Sequence, residues 1–269
     1  MKTLYVSDLD GTLLRSNEKT SDYTNSVIND LVRKGMVFSY ATARSYVTSH
    51  KVTEGMVVNI PLITYNGAMI INNADGTFLR KNFFGTDVLS VVQDLFSHGL
   101  YPIVYSFIEG EEKFSYCSAK CTEETKQFVD TRRDARNHPV EDEEALLQGE
   151  IFYITCIGDE KRLAPLYEKY KDVYHCVFQR DIYSGAQWFE ILPAEASKAN
   201  AIRQLREQLD CDKLVVFGDG KNDIDMFEMA DESYAVENAV QELKDIATGV
   251  ITDNDSDGVA RFLSEHFGG

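Results

Sequence analysis

The feature that most constrains this chain is a strand that ends in chemistry. The apolar run Leu4-Tyr5-Val6 reads as a buried strand and gives way at once to Ser7-Asp8-Leu9-Asp10-Gly11-Thr12-Leu13-Leu14. Polar groups gathered at the carboxyl end of a buried strand belong in an open α/β sheet, whose ligands occupy the crevice formed by strand ends and the loops after them. Asp8 and Asp10, two residues apart on an extended chain, point the same way and repel unless a cation lies between them. Oxygen ligands without histidine or cysteine suit Mg²⁺. Gly11 permits a sharp turn, and Thr12 offers a hydroxyl or a backbone donor to an anion. An Asp-Gly turn closing an ordinary strand is the plainer reading of the same residues.

The pattern recurs. A helix whose Val27, Ile28, Leu31 and Val32 share a face starts at Thr20 or Ser21 and closes at Gly35. The strand over residues 36–41 then delivers Thr42-Ala43-Arg44, and a βαβ unit sets Thr42 beside Asp8 at one sheet edge, although a threonine there also serves as a helix cap. Residues 62–65 run into Asn66-Gly67-Ala68 and a hairpin of 69–71 against 77–79, turned by Asp75-Gly76. Asn66 is either a ligand contact or a turn former. Ser197 caps a helix with Ala201, Ile202, Leu205 and Leu209 on one face, and Lys198 in its first turn opposes the helix dipole. That placement invites a function, with a plain surface lysine as the alternative. The apolar run 214–217 ends in Gly218-Asp219-Gly220-Lys221-Asn222-Asp223, a strand that ends in three metal-competent side chains and so repeats the opening pattern.

Between these stretches the texture changes. A helix capped near Thr86 ends at Gly99; strands over 101–108 and 113–118 follow, then a helix over 122–136, a turn at His138-Pro139 and a helix start in the acidic stretch 141–144. A strand over 151–157, a helix over 161–171 and strands over 174–179 and 187–191 complete an α+β sheet covered on one face. The expected organisation is α/β: a doubly wound core over 1–82 and 191–269, with residues 83–190 inserted as a second domain.

At 269 residues with 43% hydrophobic and 26% charged content, the chain can bury a sizeable core and shows neither a disordered composition nor a membrane span. Its formal charge of -17 disfavours nucleic acid and anionic membranes as partners. Five cysteines without a CxxC pair point to reduced thiols rather than zinc, and the start of the chain carries no signal-peptide pattern, so a cytoplasmic location is expected. Asp253-Asn254-Asp255-Ser256-Asp257-Gly258 matches half of an EF-hand loop, but Ser264 stands where the bidentate Glu belongs; an acidic turn capping the last helix is the preferred reading.

Taken in order, Asp8-Leu9-Asp10-Gly11-Thr12, Thr42-Ala43-Arg44, Ser197-Lys198-Ala199-Asn200 and Gly218-Asp219-Gly220-Lys221-Asn222-Asp223 resemble the four signatures of the haloacid dehalogenase superfamily. The resemblance implies a Rossmann-like core with Asp8 as nucleophile and Asp10 as general acid/base. It further implies Thr42 and Lys198 on the phosphoryl oxygens, and substrate contacts from Thr42, Ala43, Arg44, Lys198 and Asn222, with Arg44 orienting either Thr42 or the substrate. Mg²⁺ would be held by Asp8, Asp219 and the backbone carbonyl of Asp10, with Asn222 and Asp223 in support. Ala43 departs from the Thr-Gly-Arg of many relatives and excludes easy positive φ. An insert between the second and third signatures resembles the type 2B cap of Cof-type phosphatases, which act on sugar phosphates and other small phosphate esters. Leu9-Asp10 stands where P-type ATPases carry Lys-Thr. The implied partner is a small phosphorylated metabolite and the implied assembly a monomer or homodimer. A sugar phosphomutase, and a non-enzymatic metal- or ligand-binding protein on the same scaffold, are the alternatives.

Overall fold

The structure, a computed structural model, describes residues 1–181 and 184–267. Strand β1 (Thr3–Ser7) leads through a wide turn over Leu9–Leu13 to helix α1 (Asp22–Arg33), strand β2 (Val37–Tyr40) and helix α2 (Tyr46–Val52). Three short strands follow, β3 (Leu62–Thr64), β4 (Met69–Ile71) and β5 (Phe78–Lys81). The middle of the chain forms α3 (Val88–Ser97), β6 (Ile103–Ile108), β7 (Glu111–Cys117), α4 (Glu123–Asp130), β8 (Asn137–Val140), β9 (Glu150–Gly158), α5 (Glu160–Tyr170), β10 (His175–Arg180) and β11 (Gln187–Leu192). The last part contributes α6 (Lys198–Gln208), β12 (Lys213–Gly218), α7 (Ile224–Met229), β13 (Glu232–Val236), α8 (Gln241–Ile246), β14 (Gly249–Ile251) and α9 (Gly258–His266). Two compact units result: Met1–Lys81 with Ala196–Gly269, and Asn82–Glu195.

The first unit is built on a parallel sheet of order β14-β13-β12-β1-β2. Leu4, Val6, Phe38, Leu214, Val216 and Phe217 are fully buried, which is why these strands read as apolar runs rather than as alternating patterns. Each such side chain contributes roughly 1.5–3 kcal/mol of burial. Ser21, rather than Thr20, caps α1, its Oγ accepting from the Thr24 N–H at 3.0 Å. From β1 the chain steps to β2 on one side, and on its return places β12 on the other. The order therefore reverses between β1 and β12, and the crevice outside their carboxyl ends is the ligand position of such a sheet. Helices α1 and α9 pack together, as do α6 with α7 and α7 with α8. The β3-β4-β5 trio touches the parallel sheet through a bridge between Ala41 and Ile63.

The second unit is a six-stranded sheet of order β10-β11-β9-β6-β7-β8, antiparallel except for the parallel β7–β8 pair. Val91 and Leu95 of α3 and Leu163 and Leu166 of α5 pack with Val104, Ile154 and Phe189 of the strands in one core. Several local expectations give way here. His138-Pro139 lies in β8, not in a turn; β8 is an edge strand, where a proline that lacks an N–H is tolerated. The helix expected to reach residue 136 stops at Asp130 because Asn137 Nδ2 donates to the carbonyls of Val129 and Arg132, and Arg136 folds back onto Asp134 and Glu112. The acidic stretch yields only a single 3-10 turn over Glu144–Leu147. Strand β11 runs through Leu192 within this sheet, so the second unit extends beyond the expected return at residue 191. Among the described residues no helix is long and apolar enough to cross a membrane, and all five cysteines are free.

Candidate active site

Strand β1 ends at Ser7, so Asp8 and Asp10 do not extend side by side along a strand as the sequence suggested. Asp8 stays in register with the sheet through its N–H, which donates to the Phe217 carbonyl at 2.9 Å, and its carboxyl group is buried. The chain then turns through Gly11 at φ 78, closed by the Leu14 N–H on the Leu9 carbonyl at 2.8 Å. Gly11 is required twice over, since a Cβ there would also stand 2.3 Å from Asp219 Oδ2. The turn sends Asp10 to Arg44, whose Nε and Nη2 donate to its two carboxylate oxygens at 2.8 and 2.6 Å.

The carboxylates that do gather are Asp8, Asp219 and Asp223, with one oxygen of each within 4.8 Å of the others. Lys198 joins them from the first turn of α6: its Nζ donates to Asp8 Oδ1 at 2.6 Å and to Asp223 Oδ1 at 2.7 Å, and its side chain is fully buried. Ser197 caps that helix, accepting from the Asn200 N–H at 3.1 Å. Gly67 seats it: a Cβ on Gly67 would fall 2.1 Å from the Ser197 carbonyl oxygen. Asp223 Oδ2 accepts the N–H groups of Asp219 and Gly220, both at 3.0 Å, so one oxygen braces the loop after β12 while the other holds Lys198. Asp219 Oδ1 accepts from the Thr12 hydroxyl at 2.9 Å, which turns that hydroxyl toward a carboxylate of the protein rather than toward a ligand anion.

Thr42 is buried at the end of the β2 run, its N–H on the Ile63 carbonyl at 3.0 Å and its Oγ1 accepting from the Arg44 N–H at 3.1 Å. Ala43 between them is half-buried. Asn66 is buried in the left-handed conformation, and Asn222 Nδ2 donates to its Oδ1 at 3.4 Å. Residues 5–263 match the family described as haloacid dehalogenase-like hydrolase. The chain belongs to that family. It is 26% identical over 271 residues to the 5-amino-6-(5-phospho-D-ribitylamino)uracil phosphatase YitU of Bacillus subtilis, covering 98% of this chain and 97% of that one. The solved structure of TM0651 from Thermotoga maritima covers 98% of this chain and 97% of its own at 26% identity and a TM-score of 0.77. In fold it also matches the subclass IIB sugar phosphatase BT4131, with a TM-score of 0.77 at 22% identity over 100% of this chain and 99% of that one. The expected resemblance to the superfamily and its Cof-type subclass is borne out.

In this haloacid dehalogenase-like hydrolase, three carboxylates gather beside one ammonium that pairs with two of them, an excess of two negative charges when all three are ionised. Burial pushes the Asp8 carboxyl up to about 7; Lys198 pulls against that shift, while Asp223 and Asp10 add to it. Burial also holds Asp219 well above the usual carboxylate range, with the charges of Asp8 and Asp223 adding. Lys198 would be lowered by burial alone, yet Asp223 and Asp8 outweigh it and keep the ammonium protonated. An all-oxygen donor set carrying this excess charge fits a hard divalent cation. Two parts of the hydrolase's site escaped the sequence reading. Asn238 Nδ2 donates to the Gly11 carbonyl at 2.7 Å, and its Oδ1 accepts the Asn254 N–H at 3.1 Å. The EF-hand-like loop does not cap α9, because Asp257 makes no cap bond there; it accepts instead from Arg15, Ser21 and Thr24.

Proposed function

We propose that this hydrolase is a cytoplasmic, Mg²⁺-dependent phosphatase of small phosphate monoesters, sugar phosphates or related metabolites, that works through an aspartyl-phosphate on Asp8. The observation that carries the reading is the buried Asp8 carboxylate at the β1–β12 switch point, held at 2.6 Å by Lys198 and facing Asp219 and Asp223. YitU, by its name a phosphatase of a phosphorylated ribityl compound, supports the substrate class.

Asp8 and Asp219 would hold the metal, with Asp223 bracing the loop that carries Asp219 and the Asp10 carbonyl and Asn222 nearby in sequence. When bound, the ion offsets the repulsion between carboxylate and phosphate and draws charge from the transferring group. Asp8 Oδ attacks phosphorus in line, forming the acyl-phosphate bond as the ester P–O bond breaks, and Asp10 delivers a proton to the leaving oxygen. Water then attacks the same phosphorus, Asp10 takes its proton, and the Asp8 carboxylate leaves. Thr42 Oγ1 already accepts the Arg44 N–H, so its own proton remains to donate to a nonbridging oxygen. Lys198 supplies positive charge beside the nucleophile.

The test is phosphate release across a panel of phosphorylated metabolites. Turnover of several esters with Mg²⁺, abolished by EDTA and restored by the ion, is expected. Full activity after thorough metal removal, or dependence on a bisphosphorylated sugar without phosphate release, would contradict the reading.

A further inference from the structure

We propose that Arg44 is a positioning residue that sets the plane of the Asp10 carboxylate for proton transfer, rather than a substrate-binding cation. This rests on the phosphatase reading above. The side-on geometry carries it: Nε reaches Asp10 Oδ2 at 2.8 Å and Nη2 reaches Oδ1 at 2.6 Å, the two-pronged match of a guanidinium to a carboxylate. Such a pair fixes the rotation of a short side chain that would otherwise swing. The grip of Arg44 engages both carboxylate oxygens at once and so sets the plane in which Asp10 gives or takes a proton.

Arg44 is itself held at both ends of its backbone. Its N–H donates to Thr42 Oγ1 at 3.1 Å, and its carbonyl accepts the Tyr65 N–H at 3.0 Å. Its Nη2 also donates to Glu18 Oε2 at 3.1 Å, and only 16% of its side chain is exposed. The guanidinium thus meets carboxylates on two sides, an arrangement suited to orienting an acid and poorly suited to receiving a phosphate dianion. Through Arg44 the hydroxyl of Thr42 and the carboxylate of Asp10 share one rigid frame.

Kinetics on two esters separate the roles. Protonation of the leaving group matters for an accepted alkyl phosphate and little for p-nitrophenyl phosphate. Arg44→Ala should lower kcat on the alkyl ester about tenfold or more, affect the aryl ester far less, and leave both KM values within about threefold. Arg44→Lys keeps the charge and a similar stem but cannot span both oxygens, so it should show the same kcat loss and serves if the alanine variant does not fold. In an Asp10→Asn background, Arg44→Ala should cost less than about twofold more, because both changes remove one function.

A rise in KM with kcat kept, equal kcat losses on both esters, full rescue by lysine, or additive losses in the double variant would each overturn the proposal while leaving the phosphatase reading intact. Absence of phosphate release by the unaltered protein would end that reading and this proposal together.

Discussion

At Asp8, burial and charge pull in opposite directions. Lys198 stabilises the carboxylate at 2.6 Å, yet burial and two neighbouring aspartates push its carboxyl group up to about 7. An aspartate raised in the folded protein binds more protons there than in the unfolded chain. Its contribution to stability is therefore complete below about pH 4 and is lost as pH rises through about 7. Asp8→Asn should match the metal-free parent in melting temperature near pH 4 and gain on it steadily toward pH 8. Paired thermal melts in EDTA check this, and a difference that stays constant across the range would contradict it. The sequence made the clustered residues legible because Asp8, Lys198, Asp219 and Asp223 each sit where an apolar strand or a helix start meets an out-of-place charge. Arg44–Asp10 and Asn238–Gly11 were not legible, since nothing local marks a pair 34 or 227 residues apart.

Elements matter here chiefly for what they hold still. The loop before α9 ties down the segment after the first signature: Asn254 Nδ2 donates to the Leu14 carbonyl at 2.8 Å, Asp255 accepts from Ser16, and Asp257 accepts from Arg15 Nε at 3.0 Å, Ser21 Oγ at 2.7 Å and Thr24 Oγ1 at 3.1 Å. A run of acids that imitates a calcium loop is thus occupied by protein donors. Asp257 is buried while Arg15 is partly exposed, so the loss on Asp257→Ala should be about 2–3 kcal/mol, below that of a fully buried ion pair. Urea unfolding measures it; a loss under about 0.5 kcal/mol would mean the loop is not a clamp. The parallel strands were readable because each is apolar throughout and ends in polar groups. The short helix α2 and the edge strand β8 were not, because α2 has only Ser49 buried and β8 pairs with β7 despite its proline.

For the molecule as a whole, a formal charge of -17 sets the terms. A phosphate ester approaching such a surface is repelled, so attraction has to come from groups close to the reacting atoms. Every residue of the candidate site lies in the first unit, drawn from two segments of chain on either side of the insert, and their meeting point is where the sheet order reverses. A binding protein could use that crevice without forming a bond; the central claim is that Asp8 forms one. The most direct measurement is rapid acid quench of the Asp10→Asn variant, in which breakdown of an aspartyl-phosphate would be slowed, after mixing with Mg²⁺ and a ³²P-labelled ester, followed by digestion and mapping of the label. A phosphoryl group is expected on the peptide that carries Asp8, released by hydroxylamine and absent when Asp8 is also replaced by Asn. Label on another residue, or phosphate release at the unaltered rate by Asp8→Asn alone, would contradict it.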